Sequence, residues 1–313
     1  VDNCIVLFWT EFYWGEVPTE FTHLMTGFDC ASSCTWTNDR RAFDQASALV
    51  FHDWEPNGWP PLRYCNQKWI RLVRESPSSR PVGYTTVTRR VGLATFDALA
   101  TYNLDSDIPY PYFPYGGDAE AQGLFNAPLP WAAKRSDVLI AWVARNCQDA
   151  SNRRTDTVLE LMSHMPVHSY GRCLHNVDFP DAAGSVLRKD YKKQDMEAVL
   201  RTYKFALVVE NSNCVDYVTE KLWRAFRMGV VPVYVGAPNL RDFEPLPGAV
   251  IRVSDFRSLK ELAGFLTGLA ADKARYEHYL HYKTQRKVSA NFHALWMTPR
   301  PDWQCRVCEW VAA

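Results

Sequence analysis

The chain has 313 residues, 47% of them apolar, which is enough to bury the core of one large domain or two ordinary ones. Lys and Arg total 35, as do Asp and Glu, and this balance argues against a broad nucleic-acid or membrane-surface footprint. No run of about 18 apolar residues is present to span a bilayer and no signal peptide is visible, so we expect any membrane anchor to lie outside these residues.

The first half of the chain is irregular. Apolar runs predict strands at Cys4–Trp9, Ala48–His52 and Lys68–Val73, and loops rich in proline and glycine separate them. The stretch from Pro109 to Pro130 is rich in Pro, Gly and Tyr and has little periodicity, which indicates a linker.

The second half alternates between strand and helix patterns, which predicts a parallel sheet covered on both faces. The predicted strands are Val138–Val143, Phe205–Val209, Val231–Val235 and Ala249–Val253. The predicted helices are Arg154–His164, Tyr217–Arg227, Ser258–Ala271, with Ser258 as its N-cap, and Lys273–Tyr282. Ligands of such sheets lie beyond the carboxyl ends of the strands, against helix N-termini.

The strand–loop–helix segment from Phe205 to Trp223 carries the polar groups of a nucleotide site. Its strand ends at Val209, a polar loop follows, and Glu220 and Lys221 lie in the first turn of the helix. A carboxylate there can accept both hydroxyls of a ribose, and a lysine beside it can bind a diphosphate with help from the helix N-terminus. On spacing alone, a solvated surface pair is an equal alternative.

Nine cysteines are many for a cytosolic enzyme, and they predict an oxidising compartment with disulfides. The odd number leaves at least one cysteine outside intramolecular pairing. Cys305-Arg-Val-Cys308 also has the spacing of half a zinc site, but no second Cys/His pair lies nearby, so we favour a disulfide there. The connectivity stays open.

The segment Phe205-Ala-Leu-Val-Val-Glu-Asn-Ser-Asn-Cys-Val-Asp-Tyr-Val-Thr-Glu-Lys-Leu-Trp223, continued by Gly229-Val-Val-Pro-Val-Tyr-Val-Gly-Ala-Pro238, closely resembles the donor-binding signature of the α1,3/4-fucosyltransferases, glycosyltransferase family 10. The similarity extends to Ser169-Tyr-Gly-Arg-Cys173 and Val253-Ser-Asp-Phe256. It implies an α/β, GT-B fold, in which two Rossmann-like domains face each other across a cleft. Residues 1–135 would bind the acceptor, 136–285 would bind GDP-fucose, and 286–313 would pack back toward the N-terminal domain.

The resemblance also implies roles for single residues of the donor half. Arg154 and Lys221 would neutralise the diphosphate, and Glu220 would hold the ribose. Asn211 and Tyr217 would line the pocket for fucose and phosphate.

In the N-terminal half, Glu75-Ser-Pro77 matches the base motif of the family, so Glu75 is the predicted general base. The acceptor-side candidates match their family motifs only in part; they are His52, Trp54, Asp105 and Asp107. The family usually has Asn-Trp-Thr where this chain has Asp97-Ala98-Leu99. These departures bear on the acceptor and leave the predicted donor unchanged.

Asp105-Ser-Asp107 also fits the Asp-x-Asp motif of metal-dependent sugar transferases, whose carboxylates bind Mn²⁺ against a diphosphate. The motif lies in the half opposite the donor signature, and two carboxylates make a weak metal signature. We therefore predict no metal ligands and no required cofactor, with Mn²⁺ at most a stimulator. A lectin on a decayed transferase scaffold is a further alternative.

Taken with the resemblance, these features predict an inverting fucosyltransferase that moves L-fucose from GDP-fucose to O3 of GlcNAc in an N-glycan core or antenna. A Ser/Thr hydroxyl of a protein is the alternative acceptor. The expected partners are GDP-fucose and a glycan or glycoprotein, with no nucleic acid. The expected location is the lumen of the secretory pathway, in the Golgi, with membrane attachment only through an anchor outside these residues.

Overall fold

The computed structural model describes residues 4–10, 30–32, 34–52, 58–78, 95–112, 123–148, 150–179, 193–297 and 302–313. The chain divides into two compact units, of which unit 1 is Val1–Gly117 with Pro299–Ala313 and unit 2 is Asp118–Thr298. The boundaries between the units thus lie between residues 117 and 118 and between residues 298 and 299. The sequence analysis placed the domain boundaries between residues 135 and 136 and between residues 285 and 286.

Within the described ranges, one sheet is present in each unit. The strands of unit 1 are β1 Ile5–Phe8, β2 Thr35–Thr37, β3 Ala48–His52, β4 Lys68–Val73, β5 Ala98–Thr101 and β6 Ile108–Pro109. The strands of unit 2 are β7 Ile140–Trp142, β8 Val167–Ser169, β9 Phe205–Val209, β10 Val231–Val235 and β11 Ile251–Arg252. The orders are β2-β1-β3-β4-β5-β6 and β11-β10-β9-β7-β8. All pairings are parallel, so the fold class is α/β.

The α-helices of the described residues are α1 Arg154–Met162, α2 Lys193–Leu200, α3 Glu220–Met228, α4 Leu259–Ala271, α5 Lys273–His278, α6 His281–Gln285, α7 Ala290–Phe292 and α8 Trp303–Ala312. A π-helical turn at His293–Met297 follows α7. Within the described ranges, no helix combines the length and apolarity that crossing a bilayer requires.

The sheet of unit 1 is buried on both faces, because successive strand residues point to opposite sides. On one face, Ile70 and Leu72 of β4 pack with Trp303 and Val307 of α8. On the other face, Trp69 packs in a second cluster that includes Leu49 and Phe51. Helix α8 thus joins the core of unit 1 although it lies at the far end of the chain.

Disulfide bonds reinforce these connections. In unit 1, Cys4 pairs with Cys34 and Cys30 pairs with Cys305. The second bond attaches the start of α8 to the N-terminal part of the chain, which confirms the disulfide prediction for Cys305. Cys308 remains a buried thiol, and burial raises its pKa to about 11.

The structure confirms most predicted elements of the second half and adds short ones. Across the described chain, the elements absent from the sequence prediction are strands β2, β5, β6 and β8 and helices α2, α6, α7 and α8, although the predicted helix Lys273–Tyr282 overlaps the start of α6. The donor-segment helix begins at Glu220, later than the predicted Tyr217. The reason is local, because Asp216 adopts a left-handed backbone (φ 61°) and Thr219 is an extended N-cap whose side chain accepts from the Lys221 N–H.

Candidate functional site

The strand order of unit 2 reverses direction at β7. Strand β8 lies on one side of β7, and β9, the next strand along the chain, lies on the other side. The loops that leave the carboxyl ends of β7 and β9 therefore diverge at a topological switch point, where α/β proteins bind their ligands. The loop after β7 leads into α1, and the loop after β9 leads into α3. The donor signature thus occupies the place where a ligand is expected.

Hydrogen bonds join these two loops, and a disulfide joins the loop after β7 to the segment after β8. The side-chain amide of Asn152 donates to the Glu210 carbonyl at 3.0 Å and to the Asn213 side chain at 2.9 Å. Cys147, after β7, forms a disulfide with Cys173, after β8. A Cβ atom on Gly171 would lie 1.9 Å from the Ala144 carbonyl oxygen, so only glycine allows this approach. These contacts within the protein fix the backbone of the loops at the edge of the site.

Arg154 connects both loops at the switch point. This first residue of α1 is 4% exposed. Its Nη1 donates to the Val209 carbonyl at 3.2 Å, and its Nη2 donates to the Asn146 carbonyl at 2.7 Å. The loop ends after β7 and β9 thus share one guanidinium, which brings a positive charge to the place where the two loops diverge.

A second positive charge comes from Lys221, in the first turn of α3. Its ammonium donates to Glu210 Oε2 at 3.1 Å and to Thr219 Oγ1 at 2.8 Å, and Glu220 Oε1 lies 3.7 Å away. Burial lowers the pKa of Lys221, but Glu210 and Glu220 outweigh this effect and raise it above its ordinary value. Arg154 is near enough to oppose that rise. Two cations therefore share the site with the N-terminus of α3, which suits a polyanionic ligand.

The other donor-side candidates lie in the same strand–loop–helix segment as Lys221. Glu220 is exposed at the start of α3, and one of its carboxylate oxygens lies 3.7 Å from the Lys221 ammonium. Asn211 and Tyr217 lie at the two ends of the loop between β9 and α3. Tyr217 is buried, and its backbone N–H donates to the Cys214 carbonyl. The loop between β9 and α3, together with the start of α3, thus contains four of the five predicted donor residues.

Unit 1 has a switch point of its own, between β1 and β3, because β2 and β3 lie on opposite sides of β1. Thr10, after β1, accepts a hydrogen bond at Oγ1 from the His52 backbone N–H at 2.6 Å. Burial, together with the nearby positive charge of Arg71, lowers the pKa of His52 to about 3. The imidazole is therefore neutral at physiological pH and too weakly basic there for general-base catalysis.

Glu75 follows the neighbouring strand β4 and is partly buried. A tight packing arrangement holds the preceding residue in place. The guanidinium of Arg74 lies 4.1 Å from the ring centroid of Tyr110 and 4.2 Å from that of Tyr112. The Tyr112 hydroxyl also donates to the Arg74 carbonyl at 2.8 Å. The backbone that carries Glu75 is thus fixed from one side at the carboxyl end of the sheet.

The remaining acceptor-side candidates differ in position. Asp107 Oδ2 accepts from the Leu99 backbone N–H at 2.8 Å, and Asp105 is exposed. Asp107 therefore supports the start of β5. Trp54 lies outside the described residues. In the part of the chain that the structure describes, no group of three or more His, Cys, Asp and Glu side chains forms a metal site.

Sequence reasoning missed Glu210, the fully buried acceptor for Lys221 and Thr219. One signal was available in the sequence, since Glu210 directly follows the apolar strand Phe205–Val209. A carboxylate at such a position is costly to bury unless donors surround it, so its presence indicates nearby hydrogen-bond donors. Asn152 and the Thr219 cap were missed as well. Their roles depend on contacts between separate loops.

Comparison with known proteins gives consistent matches. A model of the C-terminal region of glycosyltransferase family 10 (fucosyltransferase) matches residues 132–313, and a fucosyltransferase N-terminal model matches residues 2–113. Alpha-(1,3)-fucosyltransferase B of Drosophila melanogaster is 32% identical over 82% of this chain and 58% of that protein. GDP-fucose protein O-fucosyltransferase 3 of Xenopus laevis is 30% identical over 92% of this chain and 60% of that protein. The chain thus spans about three fifths of the length of these two curated relatives.

A solved structure extends the comparison to the fold. A crystal structure of an alpha1,3-fucosyltransferase with GDP-fucose superposes with a TM-score of 0.59 and 16% identity. The match covers 99% of this chain and 91% of that chain. At this identity, the match shows a shared fold, which is the GT-B class of that enzyme.

Proposed function

The chain belongs to glycosyltransferase family 10, the fucosyltransferases, and we propose that it transfers L-fucose from GDP-fucose to a hydroxyl acceptor. One observation carries the proposal most directly. Arg154 and Lys221 bring two positive charges to the switch point of unit 2, beside the N-terminus of α3. A nucleoside diphosphate sugar supplies the matching negative charge on its two phosphates.

Each donor-side residue has a role in this proposal. Arg154 and Lys221 stabilise the negative charge that builds on the departing diphosphate, which is the main electrostatic task of such a site. The exposed carboxylate of Glu220 accepts the two ribose hydroxyls. Asn211 and Tyr217 line the pocket for the fucosyl and phosphate groups.

For the chemical step, we propose a single displacement with inversion at the anomeric carbon. The acceptor oxygen attacks that carbon while its bond to the diphosphate oxygen breaks and GDP leaves with the electron pair. Glu75 takes the proton of the acceptor hydroxyl. General-base action of this kind supplies about 10²–10⁴-fold in rate. No metal ion takes part in this scheme, and Mn²⁺ at most stimulates it.

The acceptor we propose is O3 of GlcNAc in an N-glycan core or antenna. A protein Ser/Thr hydroxyl is the second candidate, because relatives named for α1,3-fucosyl transfer and for protein O-fucosyl transfer are about equally similar to this chain. We also propose the lumen of the secretory pathway, in the Golgi, as its location. The three disulfides support an oxidising compartment.

A product assay tests both parts of the proposal. GDP-fucose is offered with N-acetyllactosamine, with an N-glycan core and with a folded protein domain, and the products are analysed by mass spectrometry and NMR. An α-linked fucose on GlcNAc O3 supports the primary proposal, and fucose on a protein hydroxyl supports the second. If GDP fails to bind in calorimetry and no acceptor gains fucose, the chain is not a fucosyltransferase.

A further inference from the structure

Glu210 is the most deeply buried charged group of the donor site. It directly follows β9, and its side chain is fully buried. Oε1 accepts from the Thr219 backbone N–H at 2.9 Å and from its hydroxyl at 3.0 Å, and Oε2 lies 2.9 Å from the same hydroxyl. Oε2 also accepts from the Lys221 ammonium at 3.1 Å. A buried carboxylate persists only with donors of this kind around it.

The surrounding backbone fits this carboxylate closely. A Cβ atom on Gly236, just after β10, would lie 2.8 Å from Glu210 Cγ and 2.4 Å from the Tyr234 hydroxyl oxygen. Asn152 donates to the Glu210 carbonyl at 3.0 Å, and the Glu210 N–H donates to the Val235 carbonyl at 2.8 Å. The main chain and side chain of Glu210 are therefore held from three directions, so its carboxylate has little freedom to move.

Lys221 is held at its ammonium group, and its side chain is only partly buried. Of its three ammonium hydrogens, Glu210 and Thr219 take two. Its side chain is 30% exposed, whereas that of Glu210 is 0% exposed. The lysine therefore bridges the buried acid and the surface at the start of α3. A long lysine side chain without such an anchor would lose more conformational entropy on binding an anion.

We propose that Glu210 is a positioning residue, which holds the Lys221 ammonium where it meets the diphosphate of the donor. Glu210 does not touch the donor in this arrangement and acts through Lys221 and the Thr219 cap. The inference rests on the proposed function, because it takes a nucleoside diphosphate as the ligand of Lys221. It adds Glu210 as a residue that fixes the position of the Lys221 ammonium before the donor binds and thereby raises the affinity for the diphosphate.

A double-mutant cycle on the full chain tests this role. Glu210→Gln keeps the size of the side chain and removes its charge, and Lys221→Met removes the ammonium. The readouts are the Kd for GDP by calorimetry and kcat/KM for GDP-fucose. We expect Glu210→Gln to weaken GDP binding about 10-fold in the native background, the usual scale for a hydrogen bond to a charged group. In the Lys221→Met background, we expect less than a 2-fold further change.

The matched control is Glu197→Gln. It removes a carboxylate of α2 that pairs with Arg227, which lies on α3 about two turns after Lys221. We expect this control to bind GDP like the native chain. If Glu210→Gln does not fold, by circular dichroism, Glu210→Asp takes its place in the same cycle, because it keeps the charge but withdraws it from Lys221. Equal losses in both backgrounds would show that Glu210 is merely structural and overturn the inference. A native chain that binds no GDP would overturn the proposed function as well.

Discussion

Arg154 Nη1 donates a hydrogen bond to the carbonyl oxygen of Val209, 3.2 Å away, and so joins the first residue of α1 to the last residue of β9. The two residues lie where neighbouring loops of the unit 2 switch point end and begin, Arg154 after the first loop and Val209 before the second. This contact orients the buried guanidinium at the place where we propose that the diphosphate binds.

Arg154→Gln is expected to weaken GDP binding by about 10- to 100-fold, because charge-assisted hydrogen bonds contribute about 1.5–3 kcal/mol. Calorimetry with GDP measures the loss. Arg153→Gln is the matched control, since Arg153 is adjacent, exposed and paired with Asp156 on the surface. An Arg154→Gln chain with native affinity for GDP would remove Arg154 from the donor site.

Glu75→Gln is expected to lower kcat by about 10²–10⁴-fold, because the amide cannot accept the acceptor proton. The Kd for GDP should not change, since Glu75 belongs to unit 1 and the donor residues to unit 2. Steady-state assays and calorimetry measure the two quantities on the same samples. An active Glu75→Gln enzyme, or a product with retained anomeric configuration, would contradict the proposed base.

Treatment with EDTA is expected to leave most of the transferase activity intact. Asp107→Ala should instead lower the free energy of unfolding by about 1 kcal/mol, the usual net contribution of one hydrogen bond, because the Leu99 N–H would lose its acceptor. Differential scanning calorimetry measures this change. Complete loss of activity in EDTA, restored by Mn²⁺, would favour the metal-dependent reading of Asp105 and Asp107.

Two buried lysines of unit 2 predict how stability depends on pH. Lys134 donates to the carbonyls of Arg201 and Tyr203, and Lys283 donates to those of Leu124 and Asn126. Burial, and secondarily repulsion by Arg201, lowers the pKa of each to about 7. In the unfolded chain, a lysine has a pKa of about 10.4.

Between pH 7 and about 10.4, the unfolded chain therefore binds more protons at these lysines, and its free energy relative to the folded state rises with pH. The stability gained in this way is lost as the pH falls through 7, where the two lysines become protonated in the folded state as well. We expect Lys283→Met to flatten the rise in melting temperature between pH 7 and 9. Exposed Lys273→Met is the control and should keep the native slope. An unchanged slope in Lys283→Met would contradict the lowered pKa.

The disulfide between Cys30 and Cys305 predicts a further effect on stability. Cys305→Ser should destabilise unit 1 by about 2–5 kcal/mol, the range for loss of a native disulfide, because α8 would lose its covalent attachment. Urea denaturation measures the change. Cys65→Ser, at an exposed thiol, is the control and should unfold like the native chain. Equal stability of both variants would show that the packing of Trp303 and Val307 alone secures α8.

Local patterns were sufficient for much of this structure. The apolar runs at Phe205–Val209 and Val231–Val235 coincide with β9 and β10, because buried parallel strands carry continuous apolar sequence. Ser258 caps α4 as predicted and accepts from the Glu261 N–H at 3.2 Å. The donor-signature residues Glu220 and Lys221 also lie in the first turn of their helix, because caps and turns depend on neighbouring residues.

Tertiary structure decided the rest. Strand order, and with it the switch point at β7, depends on which strands pair across long stretches of chain. The partners of Cys30 and Cys147 likewise depend on contacts that spacing does not encode. Sequence alone therefore identified Lys221 and its helix turn. Only the fold placed Glu210 beneath that lysine, because burial of a carboxylate is a property of everything packed around it.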